Sequence, residues 1–176
     1  TSVRRDFEVI EGGPDRDITD HVPEDSPSAT ALREMKRIDS SFEVAEFLSG
    51  ARGAYEMILM AFERGELEDI QSFLSADVFE TFESVVAARR DQGLTIEAEF
   101  IGVQKIAINE ATFDDASGLA EVTIRIIGEL TNVVRNAEGD VVEGHETSPK
   151  QQKDIWTFAR VMGTDDPNWQ LVATGE

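Results

Sequence analysis

The chain of 176 residues contains no cysteine, which excludes a disulfide framework, a thiolate metal site and a cysteine nucleophile. That absence is compatible with a reducing compartment. No apolar run is long enough to span a bilayer, and no signal-peptide pattern is present. The chain opens Thr-Ser-Val rather than with Met, so the expectation is a fragment whose upstream targeting segment has been removed. Positive charge is scarce: 16 Lys and Arg stand against 36 Asp and Glu, for a formal charge of −20. Such a surface repels a nucleic-acid duplex or a bare anionic bilayer, and no Lys/Arg block offsets it. No nucleic-acid partner is expected, whereas a basic protein or peptide suits the charge.

Histidine is equally sparse. His21 and His145 are the only two, neither has a partner at metal-ligand spacing, and no nucleophile-elbow pattern accompanies either. No phosphate-cradling loop or dinucleotide fingerprint occurs, so no cofactor and no metal are expected. The run Asp114-Asp115-Ala116-Ser117-Gly118 lacks the oxygen ladder and terminal Glu of a calcium loop and reads as a hairpin turn.

What is present is enough apolar residue, 40%, to build one domain with a real core. Residues 1–28 read as a flexible acidic linker broken by Gly12-Gly13-Pro14 and Pro23, with Phe7-Glu8-Val9-Ile10 as a candidate docking peptide within it. The domain then occupies 29–176. Leu32, Met35 and Ile38 at spacing three, beside Arg33, Lys36 and Arg37, predict a short amphipathic helix over 28–38. This basic stretch either packs with snorkelling side chains or touches lipid headgroups or a partner.

A long helix is expected from Phe42 to Glu63, opened by a Ser40/Glu43 capping box and closed by Gly65. Gly50, Gly53 and Ala54 leave a shallow patch on it that lets another backbone approach. A short helix over Leu67–Leu74 and another ending near Asp91 follow, with Arg89-Arg90 as charges suited to the end of that last helix. After Gly93 the period changes to alternation. Ile96, Ala98 and Phe100 share one phase, Ile101 and Val103 another, and Ile106 and Ile108 return; such slips within one strand are what bulges look like. Ala120 to Ile126 forms the next strand. Glu143 to Gln152 reads as a polar loop, and two last strands cover Asp154–Met162 and Asn168–Thr174. Helices followed by an antiparallel meander predict an α+β fold, with helices packed on a curved sheet of about four strands.

Polar groups on apolar elements are Tyr55, Arg125 and Arg160, the last with a carboxylate partner expected. Glu97, Glu99 and Glu121 alternate out of phase with the apolar residues, which places them in solvent and argues against acid–base catalysis. Phe47, Tyr55, Phe82, Trp156, Phe158 and Trp169 are the candidate lining of an apolar pocket, with ordinary core packing as the alternative for each.

The segments Phe47-Leu48-Ser49-Gly50-Ala51-Arg52-Gly53-Ala54-Tyr55-Glu56-Met57-Ile58 and Asp154-Ile155-Trp156-Thr157-Phe158-Ala159-Arg160, with Asp166-Pro167-Asn168-Trp169-Gln170-Leu171, resemble the Tim forty-four-like domain, in particular its alphaproteobacterial members. The resemblance covers about Asp39 to Thr174. It implies a nuclear transport factor two-like cone with a large apolar pocket, and a non-enzymatic, membrane-associated scaffold or adaptor resembling the C-terminal domain of the mitochondrial import-motor subunit. The implied occupant is a lipid tail, a peptide or partner side chains. The implied location is the cytoplasmic face of a bacterial inner membrane, with the anchor upstream and absent from this chain. It also implies that Leu32, Arg33, Met35, Lys36, Arg37 and Ile38 meet membrane or partner. Cones of this type also host isomerases and hydratases, which is the alternative, and a purely structural dimer domain is a third reading.

Overall fold

The change of period at Gly93 divides the molecule into a helical half and a sheet half in the computed structural model, which describes residues 13–175. Helices α1 (Arg16–Thr19), α2 (Pro27–Ile38), α3 (Val44–Arg64) and α4 (Ala76–Asp91) come first, with a 3-10 turn over Glu68–Phe73 between the last two. Strands β1 (Thr95–Phe113), β2 (Leu119–Arg135), β3 (Val141–Val161) and β4 (Gln170–Gly175) follow. All pairings are antiparallel and the sheet order is β1-β2-β3-β4, the α+β meander expected from the order of elements.

The central strand β2 sets the core. Val122, Ile124, Ile126 and Leu130 alternate onto one face and are fully buried. Phe158, Trp156 and Asp154 of β3 stand opposite Val122, Ile124 and Ile126. The apolar stripe of α3, including Phe47, Ala51, Tyr55 and Ile58, is buried in the same core. Each fully buried Val, Leu or Ile among them contributes about 1.5–3 kcal/mol, which is why a 3.6-period stripe and a 2-period face suffice to define this layer.

The two phase slips expected in β1 are bulges, and a third, not expected, follows Ile108. Its register with β2 shifts between Phe100 and Gly102, between Val103 and Lys105, and between Ile108 and Glu110. The polar stretch Glu143–Gln152, expected to be a loop, is instead the first half of β3. It pairs with β2 through Val134↔Glu143 and Glu129↔Gln151, with an irregularity opposite Thr131. It is exposed almost throughout, so no apolar alternation marks it. Gly144, at φ 84, makes the pairing possible, because a Cβ there would lie 2.0 Å from the Asn132 carbonyl oxygen.

The expected linker is folded in its second half. Residues 1–12, with the candidate docking peptide Phe7–Ile10, lie outside the described residues. From α1 onward the chain packs on the domain, with Ile18 fully buried and Val22 nearly so. Asp17 then does what the Ser40/Glu43 box was expected to do. Glu43 makes no side-chain cap at the start of α3; the Val44 and Ala45 amides donate instead to Asp17 at 2.7 and 3.0 Å. Lys36 holds the same carboxylate at 2.8 Å and Asp15 at 2.8 Å.

The other end of α3 is closed from outside as well. Arg89 was expected to complement its own helix, but its guanidinium donates to the Phe62 and Glu63 carbonyls at 2.5 and 3.4 Å and lies 4.7 Å over the Phe62 ring. No helix among the described residues is long and apolar enough to cross a membrane.

Candidate functional site

The six aromatic residues expected to line one pocket are divided between two cavities and the core. Phe47, Phe158 and Trp169 line a groove of 390 Å³, together with Phe42 and Phe73. Phe82 and Trp156 line a smaller cavity of 260 Å³. Tyr55 lines neither; it is fully buried between them in the chain of contacts, 4.8 Å from the Trp156 ring centroid and 6.2 Å from that of Phe100. Its hydroxyl donates to Asp154 Oδ2 at 2.7 Å. Gly128 lies directly against it: a Cβ there would come within 2.8 Å of the ring.

The groove lies between the N-terminal half of α3 and the loop that joins β3 to β4. Trp169 stands edge-on to Phe47 at 4.8 Å and tilted to Phe42 at 5.9 Å, while Phe47 meets Phe158 at 6.1 Å. Arg160 fixes both walls. Its Nη1 bonds Asp39 Oδ2 at 3.2 Å on the α2–α3 side, and its Nε donates to the Asp166 carbonyl at 3.0 Å on the β3–β4 side. The carboxylate partner expected for Arg160 is therefore Asp39. Hydrogen bonds from Ser41 and then the Arg160 guanidinium hold the Asp39 carboxyl below its ordinary range against a small opposing effect of burial. Glu43 and Glu46 are exposed at the rim, which leaves an apolar floor with an acidic edge.

Gly50 forms part of this floor. An added Cβ at Gly50 or at Gly53 would meet nothing within 4 Å, so the close backbone approach expected there is not made by any part of the described chain.

The basic stretch of α2 is mostly engaged. Leu32 and Met35, expected to meet membrane or partner, are fully buried and unavailable for contact. Lys36 is held by Asp15 and Asp17, Arg37 by Glu34 at 2.8 Å and Asp115 at 3.5 Å, and Arg33 donates to the Glu24 carbonyl. Ile38 is the one large apolar side chain of α2 that is exposed. Arg125, expected to be a buried polar group, is exposed on the outer face of the sheet and donates to Asn109.

Asp154 is the functional candidate that the sequence reading passed over. It is buried on β3 at the wall of the smaller cavity. Its signal was present, because Asp154, Trp156 and Phe158 share parity; the other strand acids do alternate outward, with Glu97 and Glu99 exposed. Burial, then the Asp154 bond, pushes the Tyr55 phenol far above its ordinary value, so it remains a donor. Among the described residues no group of three or more His, Asp or Glu is placed to hold a metal.

Compared with models of known families, residues 28–176 match the Tim44-like domain. The chain belongs to that family. This Tim44-like domain is 26% identical over 145 residues to the probable mitochondrial import inner membrane translocase subunit tin-44 of Caenorhabditis elegans, a match covering 80% of the chain and 34% of the relative. It is 18% identical over 162 residues to mitochondrial import inner membrane translocase subunit TIM44-1 of Arabidopsis thaliana, covering 89% and 34%. The Tim44-like domain thus spans about a third of the length of these curated relatives. Among solved structures, the intermembrane space region of chloroplast protein ARC6 aligns with a TM-score of 0.42 and 12% identity over 81% of this chain and 93% of that one.

Proposed function

We propose that this Tim44-like domain is a non-enzymatic scaffold that works at a membrane and holds apolar side chains of a protein partner in the groove between α3 and the β3–β4 loop. The observation that carries this reading is Gly50, a helix-interior glycine that lines the groove. Gly50 and Gly53 each cost about 1 kcal/mol relative to Ala in a helix interior, and nothing in the described chain packs on either. Gly50 opens the floor of a groove walled by Phe42, Phe47, Phe158 and Trp169. Bare backbone beside an aromatic box suits an incoming segment that approaches closely. Glu43 and Glu46 at the rim favour a segment carrying basic residues beside its apolar ones.

The curated relatives are named as subunits of inner membrane translocases, which supports a protein partner and work at a membrane. For this chain we place that work at the cytoplasmic face of a bacterial inner membrane. A lipid tail is the competing occupant. Titration followed by Trp169 fluorescence in a Trp156→Phe variant separates the two: a peptide carrying Phe, Leu and Lys gives a saturable shift, and phosphatidylglycerol vesicles give none. Saturation by vesicles alone replaces the peptide with lipid, and no change with either overturns the groove reading.

The isomerase or hydratase alternative requires a cavity-facing acid, and Asp154 meets that requirement by position. Its chemistry supports binding instead. Its Oδ2 already accepts from Tyr55 and its Oδ1 from Gln152 at 3.4 Å, and the phenol beside it is held protonated. Both carboxyl oxygens are engaged within the chain, which leaves neither aimed at a substrate for proton exchange.

A further inference from the structure

The guanidinium of Arg160 is only partly used by its own chain. Its side chain is nine-tenths buried where the groove meets an adjoining cleft of 590 Å³, and it lines both. Nε and Nη1 are committed to the Asp166 carbonyl and to Asp39. Nη2 has no partner among the described residues, yet none of their buried side-chain nitrogens or oxygens is left unsatisfied. Nη2 therefore opens to the space of the groove and cleft, a donor held in place by the bonds of its neighbours. Resting on the groove reading above, we infer that Arg160 receives the C-terminal turn of a partner helix. Nη2 donates to the last carbonyls of that helix. Apolar side chains of the turn enter among Phe42, Phe47, Phe158 and Trp169, and its Lys or Arg residues face Glu43 and Glu46.

The donor decides what kind of atom must arrive. A purely apolar group laid over Nη2 strips it of water and gives nothing in return, a cost that falls on binding. A carboxylate satisfies the donor but meets like charge from Asp39, already paired with this guanidinium, and from Glu43 and Glu46 at the rim. A neutral carbonyl oxygen satisfies it without that repulsion. Carbonyls that arrive without N–H donors of their own are what the last turn of a helix presents, and basic side chains are the ones that turn favours. A donor inside and acids at the rim match both properties at once.

Size points the same way. A helical turn about 10 Å across and about 5.4 Å long fills on the order of 400 Å³, against 390 Å³ for the groove. One turn presented end-on fits; a helix laid lengthwise does not. The molecule also makes this contact once within itself. Arg89 donates to the Phe62 and Glu63 carbonyls at the end of α3 and lies over the Phe62 ring. Arg160, between Phe158 and Trp169 in the groove lining, offers the same pairing of guanidinium and aromatic ring to a helix from outside.

Two stapled helical peptides of one composition, blocked at both ends, test this on the unmodified protein. The first carries Leu, Phe and Lys in its last turn; the second has the reversed sequence, which puts them in the first turn. Isothermal titration should show the first binding at least tenfold more tightly. Equal affinities overturn the inference and leave the groove reading standing; no binding of either overturns both. Arg160→Lys keeps the charge but loses the fork of donors. It should weaken the first peptide at least tenfold and leave the second unchanged. Equal weakening of the two would confine Arg160 to holding the groove walls, and that result also overturns the inference. If the variant fails to fold, the ratio of the two affinities on the unmodified protein decides alone.

Discussion

Tyr55 and Asp154 are 99 positions apart and joined by one buried hydrogen bond, which ties the middle of α3 to β3. A buried acceptor stripped of its donor costs about 1–3 kcal/mol, so Tyr55→Phe should lower the urea midpoint accordingly while leaving the circular-dichroism spectrum intact. Gly128→Ala attacks the same contact sterically. Its Cβ would meet the tyrosine ring at 2.8 Å and the hydroxyl at 3.1 Å, and overpacking of this kind costs about 1–3 kcal/mol. The two losses should be less than additive in the double variant, because both act on one interaction.

Glu63 supplies a prediction of opposite sign. Burial above all pushes its carboxyl above the ordinary value, with Lys150 and Arg89 pulling back. A folded-state pKa above the unfolded one means that the protonated form is favoured on folding. The associated stability is present below the unfolded carboxylate value and is lost as pH rises from there through the folded one. Glu63→Gln should therefore raise the melting temperature at neutral pH relative to wild type, and the gain should vanish in acid. An equal gain at both pH values would show that charge is not the cause.

At the scale of elements, what was legible in the sequence depended on whether the governing contact was local. Two of the three bulges of β1 were readable because the slip moves Ile or Val onto the other phase within a few residues; the third, between Ile108 and Glu110, is followed by neither. The start of α3 was not, because its cap is Asp17, 27 positions before Val44. A search for a local Ser/Glu pair finds Ser40 and Glu43 and stops there. The first half of β3 was missed for a different reason: exposed on both faces, it carries no alternation. For the candidate site, the aromatic residues were legible as a set. Their division between a groove, a cavity and the core was not, since that rests on Tyr55 of α3 meeting Gly128 of β2 between helix and sheet.

Asp17→Ala should cost about 1 kcal/mol, the ordinary value of a helix N-cap. Burial alone would raise the Asp17 carboxyl, but bonds from Lys36, Val44 and Ala45 outweigh it and lower its pKa. Its contribution is therefore present above the unfolded carboxylate value and lost as pH falls through the folded one. The difference between wild type and Asp17→Asn, followed by thermal melts, should shrink towards the acid end. Gly50→Leu tests the element that forms the groove. With nothing within 4 Å of the added Cβ, the helix should gain up to about 1 kcal/mol from propensity. The same side chain fills the floor of the groove, so peptide binding should fall at least tenfold. A variant that is more stable and still binds would place the partner elsewhere.

For the whole molecule, charge decides how the groove is reached and how firmly the domain holds together. An excess of 20 acidic charges repels itself in the compact state and attracts basic segments from a distance. Salt acts on both effects, in opposite directions. Raising ionic strength from about 0.01 M to about 0.15 M shortens the screening length from about 30 Å to about 8 Å. The melting temperature should rise over that interval as self-repulsion is screened. Association of a Lys-bearing peptide with the groove should slow over the same interval, while its dissociation rate changes little, because apolar contacts with Phe47 and Trp169 set the lifetime and exposed Glu43 and Glu46 set the approach. Stopped-flow measurement of both rates across the salt series checks this. A dissociation rate that rises with salt while association stays constant would mean that ion pairs, not the aromatic groove, hold the partner.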